Sequence, residues 1–147
     1  MTIRFQRANF VVANLERSLT FYRDVLGFGV EFTLGHNPDS YSVPVFEIPE
    51  GAELGFAALN TPTQPRVMAL TEVGKVDLAP VPHPRRAAIV LDIDDPDAVM
   101  DGARALGLHV YEEAVLHTKD GRVGREIGIV DFDDNLVVIY KILEGAE

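Results

Sequence analysis

The chain of 147 residues is 47% apolar and carries a formal net charge of −10, enough apolar material for one ordinary domain or two small modules with a common core. The acidic balance argues against a nucleic-acid partner, whose phosphates need a basic face; it would favour a cationic ligand, although simple solubility accounts for it more economically. No stretch approaches the roughly 18 uninterrupted apolar residues of a membrane span, and with no cysteine there are no disulfides, thiolate metal sites or cysteine nucleophiles.

Met1 to Gln6 lead into an amphipathic element rather than the apolar core of a signal peptide, and a reducing cytoplasm is the expected location. Phe10, Val11 and Val12 read as strand, and Asn14 offers a side-chain oxygen to the free amides of a helix starting at Leu15. Leu15, Leu19, Tyr22 and Leu26 form one apolar stripe at helical spacing, and Gly27 ends it by entering the left-handed conformation without a Cβ penalty. Gly29 to Leu34 reads as a strand, Gly35 to Ser40 as a turn, and Tyr41 to Ile48 as a further strand, placed at an edge or bulged because Pro44 cannot donate to a ladder. Glu53 to Leu59 completes a β-α-β-β-β order, which puts the first module at residues 1–60.

Residues 61–86 read as a connector holding five of the nine prolines, which favour extended, non-helical backbone. Within it Val67 to Leu70 is too apolar for a free tether and packs either on a partner subunit or on its own domain; His83, Arg85 and Arg86 form a compact basic patch, read as solvated linker. From residue 87 to 147 the plan returns. Ala87 to Ile93 is a strand, Asp95 a cap, Pro96 a first-turn residue, Val99, Ala103 and Leu106 a stripe, and Gly107 a stop. Leu108 to Thr118 and Gly124 to Val130 are strands about a Lys119 to Arg122 hairpin turn, and Leu136 to Ile142 is the last strand. Val12 and Ile93 stand 81 residues apart and Gly27 and Gly107 stand 80 apart, the spacing of a tandem duplication.

Three sets of words carry a resemblance: Asn14 to Ser18 followed by Phe21 to Phe28, then Asp94 to Asp97, then Asp131 to Leu136. In this order and spacing the chain resembles the vicinal oxygen chelate superfamily, which groups glyoxalases, bleomycin-resistance proteins and extradiol dioxygenases. The resemblance implies an α+β fold of two tandem βαβββ modules whose mixed sheets curl around a shared cleft. It also implies a divalent metal held by a first-strand histidine and a last-strand glutamate, leaving open positions for two vicinal substrate oxygens.

Carried over position by position, the first-strand histidine falls on Arg7 and Ala88, and the last-strand glutamate on Val138 and near Gly55. None of these is a ligand: Arg7 cannot deprotonate to bind a metal, and the others have no donor side chain. His36, His83, His109 and His117 lie outside the first strands and form no close pair. No metal and no cofactor are therefore expected, and no residue is assigned a catalytic role.

Strand alternation assigns what the cleft offers instead. If Ala8, Phe10 and Val12 pack on the helix, then Phe5, Arg7, Asn9 and Val11 face the cleft, with Ala88, Val90 and Asp92 from the second module and Leu136, Val138 and Tyr140 from the last strand. Arg7 in a partly buried cleft needs an anionic partner, supplied by a ligand or by Glu126 or Asp92. Tyr41, His117, Arg125 and Glu126 join the candidate ligand-binding set of Arg7, Asn9, Asp92 and Tyr140, on strands whose facing the sequence leaves open. The expected function is binding of a small, partly apolar molecule in a metal-free cleft, by sequestration or by metal-independent chemistry. The alternatives are a metal-dependent glyoxalase-like lyase or dioxygenase with a relocated site, and a purely structural or partner-binding protein. The resemblance and the open sheet edges lead us to expect a homodimer.

Overall fold

A computed structural model describes residues 1–143; residues 144–147, the end of the expected second module, lie outside the described residues. Two compact units follow one another, Met1–Pro80 and Val81–Glu147. The first holds β1 (Ala8–Val12), α1 (Leu15–Tyr22), β2 (Gly29–Leu34), a helical turn α2 (Ser42–Val45), β3 (Glu53–Asn60) and β4 (Met68–Gly74). The second holds β5 (Ala88–Leu91), α3 (Pro96–Ala105), β6 (Ala114–His117), β7 (Val123–Val130) and β8 (Leu136–Ile142). Their sheets have matching orders, β1-β4-β3-β2 and β5-β8-β7-β6, with the first strand parallel to the last and the other pairs antiparallel. This is the glyoxalase-like arrangement of two βαβββ modules. Among the described residues no helix is long and apolar enough to cross a membrane.

Local chemistry starts both main helices where the sequence places them. Asn14 Oδ1 accepts the Arg17 amide at 2.9 Å, and Asp95 Oδ1 accepts the Ala98 amide at 3.1 Å with Pro96 in the first turn. Regular α1 ends at Tyr22, earlier than the apolar stripe suggests. Wider turn bonds, including Leu26 N–H to Phe21 O at 2.9 Å, carry the chain to Gly27 at φ +90°.

The strand reading of Tyr41 to Ile48 is corrected: the segment forms α2 and bends, and the fourth strand of the first module is Met68–Gly74, inside the stretch read as connector. The reason is sheet geometry. β4 lies between β1 and β3 and its consecutive residues Met68 to Thr71 are buried, so both faces of its first half are covered and call for the apolar run that Val67 to Leu70 supplies. Strand character in the second module is also shorter than expected. Of Leu108 to Thr118 only Ala114–His117 is strand, preceded by an isolated bridge from Val110 to Ile129.

In the first unit α1 packs on β3 and β4; Leu19, Phe21 and Tyr22 of the helix and Val12, Leu59 and Leu70 of the sheet are buried, and the Tyr22 and Phe10 ring centroids lie 6.5 Å apart. Each buried large side chain of this kind contributes about 1.5–3 kcal/mol. On the same face Glu72 Oε2 accepts the Leu15 amide at 2.5 Å, so a carboxylate from β4 caps the positive end of α1. Gly55 makes room for it: a Cβ there would meet Glu72 Oε1 at 2.7 Å. Glu72→Ala is expected to lower stability by about 1–2 kcal/mol, and Glu72→Gln, which keeps an acceptor oxygen, by less. Chemical denaturation midpoints at unchanged m-value check this.

Candidate functional site

On the first unit the face turned away from α1 carries the features of a binding site. Strand register puts Asn9 and Val11 of β1, Ala69 and Thr71 of β4, Phe56 and Ala58 of β3, and Phe32 and Leu34 of β2 on that face. A cavity of about 310 Å³ opens there, walled by Arg7 before β1, Phe32, Leu34, Phe56 and Thr71 from the sheet, and Asn37, Ser40 and Ser42 from the β2–α2 segment. Phe32 and Phe56 lie 6.0 Å apart by ring centroid. The walls thus combine aromatic surface, hydroxyls and one guanidinium, the mixture typical of small-molecule pockets.

Arg7 is exposed, so water can solvate it and no protein counter-charge is required, contrary to the expectation for a partly buried arginine. Within its unit, among the described residues, no carboxylate pairs with it. Two residues on, Asn9 Oδ1 accepts the Thr71 hydroxyl at 3.0 Å, while Asn9 Nδ2 is buried with no hydrogen-bond partner among the described residues. Beside the cavity, therefore, stands a donor whose desolvation is uncompensated, a cost of about 1–3 kcal/mol in general. Tyr41 does not line this cavity; it is exposed at the start of α2, and its neighbours Ser40 and Ser42 line the wall instead. Phe32, Leu34, Asn37, Ser40, Ser42, Phe56 and Thr71 escaped the sequence reading. The usable signal was Thr71, a single hydroxyl in a buried apolar strand.

In the second unit the sequence candidates separate. Glu126 and Tyr140 are cross-strand partners on the face turned away from α3, with Val138 two residues before Tyr140 on that face and Val90 its partner on β5. Arg125 and His117 belong to the opposite face. Arg125 is held there by Glu113 at 2.7 Å and by Asp97 of α3 at 2.9 Å, which ties α3 to β7. Asp92 lies past the end of β5 and meets Lys141 Nζ at 3.5 Å. The surfaces away from the helices thus hold Asn9 and the cavity-lining Arg7 in the first unit, and Glu126 and Tyr140 in the second.

The residues present do not fit the metal that the fold implies. Asn9 pairs with Ala69 as Val90 pairs with Val138, so the first-module counterpart of Val138 is Ala69. The placement near Gly55 is corrected, because Gly55 sits on the helix face beneath Glu72. Arg7, Ala69, Ala88 and Val138 offer no metal donor. The histidines have other engagements or none: His36 Nδ1 accepts the Leu54 amide at 2.9 Å, His83 Nε2 stands 3.3 Å from Asp134, and His109 packs edge-on to Tyr111 at 4.3 Å. Among the described residues no group of three or more His, Asp or Glu side chains could hold a metal ion.

The family model of the Glyoxalase/Bleomycin resistance protein/Dioxygenase superfamily matches residues 4–139. No curated protein matches the sequence. Among solved structures, a glyoxalase family protein from Bacillus cereus is 16% identical, with a TM-score of 0.74, covering 97% of this chain and 96% of its own. The trypanothione-dependent glyoxalase I of Leishmania major is 18% identical, with a TM-score of 0.62, covering 95% and 87%. A mutant fosfomycin resistance protein from Listeria monocytogenes, in complex with Mn(II) and 1S,2S-dihydroxypropylphosphonic acid, is 15% identical, with a TM-score of 0.57, covering 95% and 90%. At these identities the likeness is one of fold.

The Arg125 arrangement makes a prediction about the pH dependence of stability. Hydrogen bonds from Arg125 hold the Glu113 and Asp97 carboxyls below their usual range, so the folded state binds these protons less readily than the unfolded chain. The stabilisation is present above the ordinary carboxylate range and is lost as pH falls through the lowered values. Arg125→Met is expected to lower the thermal midpoint at about pH 7, and the gap to the wild type is expected to close below about pH 4. Thermal unfolding at both pH values checks this.

Proposed function

The chain belongs to the Glyoxalase/Bleomycin resistance protein/Dioxygenase superfamily, and on that premise we propose that it binds a small, partly apolar organic anion in the Arg7 cavity, by sequestration or by chemistry independent of the family's metal. The observation that carries this reading is that the Arg7 guanidinium walls a cavity that also presents Phe32, Phe56 and the hydroxyls of Ser40, Ser42 and Thr71. Arginine's planar fork matches carboxylate, sulfonate and phosphonate oxygens, and the aromatic wall takes the rest of the molecule. The phosphonic acid held by the fosfomycin resistance protein of like fold supports an acidic ligand. The metal-independent part of the proposal is supported by the donor-free side chains at Arg7, Ala69, Ala88 and Val138. Asn9 Nδ2 is a second donor for a ligand oxygen in this reading, since its partner Thr71 lines the same cavity.

A homodimer and a cytoplasmic location belong to the same proposal. Edge strands β1 and β2 of one sheet and β5 and β6 of the other support the first, and the cysteine-free sequence supports the second. Light scattering is expected to give twice the chain mass.

Isothermal calorimetry with benzylsulfonate, benzyl alcohol and benzylamine tests the binding class. The anion is expected to bind best, and Arg7→Ala to weaken it by about ten- to hundred-fold. Arg7→Lys should keep the charge and lose the fork, falling between the two. Equal affinity in the wild type and Arg7→Ala would refute the anion reading.

A further inference from the structure

The segment from Gly35 to Val43 is a partition between two cavities of the first unit. Gly35, Asn37 and Ser40 line the Arg7 cavity. His36, Pro38 and Val43 line a second cavity of about 680 Å³, which also includes Glu50, Glu53 and Lys75. Internal bonds shape the partition: Ser40 N–H to Asn37 O at 3.1 Å and Val43 N–H to Ser40 O at 3.0 Å. A different bond ties it to the sheet. The last pair of β2 with β3 is Leu34 with Phe56; two residues further along each chain, His36 stands opposite Leu54. There the ladder is continued by a side chain, His36 Nδ1, which accepts the Leu54 amide at 2.9 Å. Leu54 is itself buried, at 7% exposure.

An imidazole nitrogen that accepts a backbone N–H must be unprotonated, so the other nitrogen carries the proton in the neutral ring. When the ring takes a second proton, both nitrogens become donors and the bond to Leu54 is lost. We propose that His36 is a positioning residue for the Arg7 cavity: neutral, it pins the cavity wall to β3; protonated, it releases the wall, and anion binding weakens. The last step rests on the reading of that cavity as an anion site.

The charged groups around this imidazole give the protonated ring somewhere to go. Glu50 from the turn before β3, Glu53 from the start of β3 and Lys75 from beyond β4 line the same cavity as His36, and its own loop adds Asp39. Glu53 is bound by Lys75 at 2.5 Å, which holds its carboxyl below the usual range, with His36 adding a smaller pull in the same direction. Glu53 therefore stays ionised while an imidazole titrates, between about pH 5 and 8 in general, and attracts the cationic ring away from Leu54.

Amide hydrogen exchange reads the tie without any ligand. Relative to the Leu70 amide in β4, protection of the Leu54 amide is expected to fall roughly tenfold between about pH 8 and about pH 5 in the wild type. His36→Ala should show low protection at both pH values. His36→Asn, whose Oδ1 stands close to where Nδ1 stood and does not titrate, should keep it high at both. Equal Leu54 protection in the wild type and His36→Ala at the higher pH, or a fall that persists in His36→Asn, overturns the proposal. Benzylsulfonate, charged across the whole range, gives the second readout: its affinity should track Leu54 protection in all three proteins. Affinity that stays flat while Leu54 protection falls overturns the positioning role. No benzylsulfonate binding at either pH, with the Leu54 pattern intact, refutes the anion reading and leaves the imidazole tie established.

Discussion

Within each unit the first strand lies parallel to the last, and much of the architecture follows from that one pairing. A parallel neighbour cannot be reached through a tight turn, so the chain must leave β1 or β5 through a helix and build a meander before the last strand can slot in. The pairing also decides which side chains meet. Because alternate residues point to opposite faces, placing Asn9 beside Ala69 and Val12 beside Glu72 sends Thr71 toward the cavity and Glu72 toward the helix from adjacent positions on β4. One strand thus serves both the cavity face and the anchoring of α1.

Much of this was legible because the signals were local. Asn14, Asp95 and Pro96 start helices through atoms within a few residues of themselves, and Gly27 and Gly107 end the following turns at positive φ. The Lys119 to Arg122 hairpin needs only its own residues. What failed was what depends on distant partners. Tyr41 to Ile48 has the length and apolarity of a strand, yet β3 already has β2 and β4 as neighbours and Pro44 removes a donor, so the segment turns into helix. Val67 to Leu70, just after Pro62 and Pro65 in sequence, leads into the buried inner strand β4 because β1 and β3 flank it, a fact no window of sequence contains.

The same division runs through the site. The helix following β1 fixes which side of that strand is inward, and the register puts Asn9 on the other side, where Arg7 lines the cavity. Arg125 and His117 lie on a hairpin with no such anchor in sequence, and only the register with β8 shows that they share the face of Ile127 and Ile139. Asp92 was placed by extending an alternation past the point where the strand stops. The cavity wall from Asn37 to Ser42 is out of reach altogether, since it consists of turn residues shaped by bonds among themselves and by the bond from β3 to His36 just before them.

Ala69 is completely buried, with Asn9 on one side and Ala58 on the other, and that bears on how such a chain evolves. To acquire the family's metal, this unit would need a histidine at Arg7 and a carboxylate at Ala69. A glutamate arriving first would be a buried charge with no counter-ion, which costs several kcal/mol, a large share of a small protein's stability. A histidine arriving first would have no second ligand and would discard the guanidinium. Neither single step is favoured, so converting this unit to a metal centre would need both changes together.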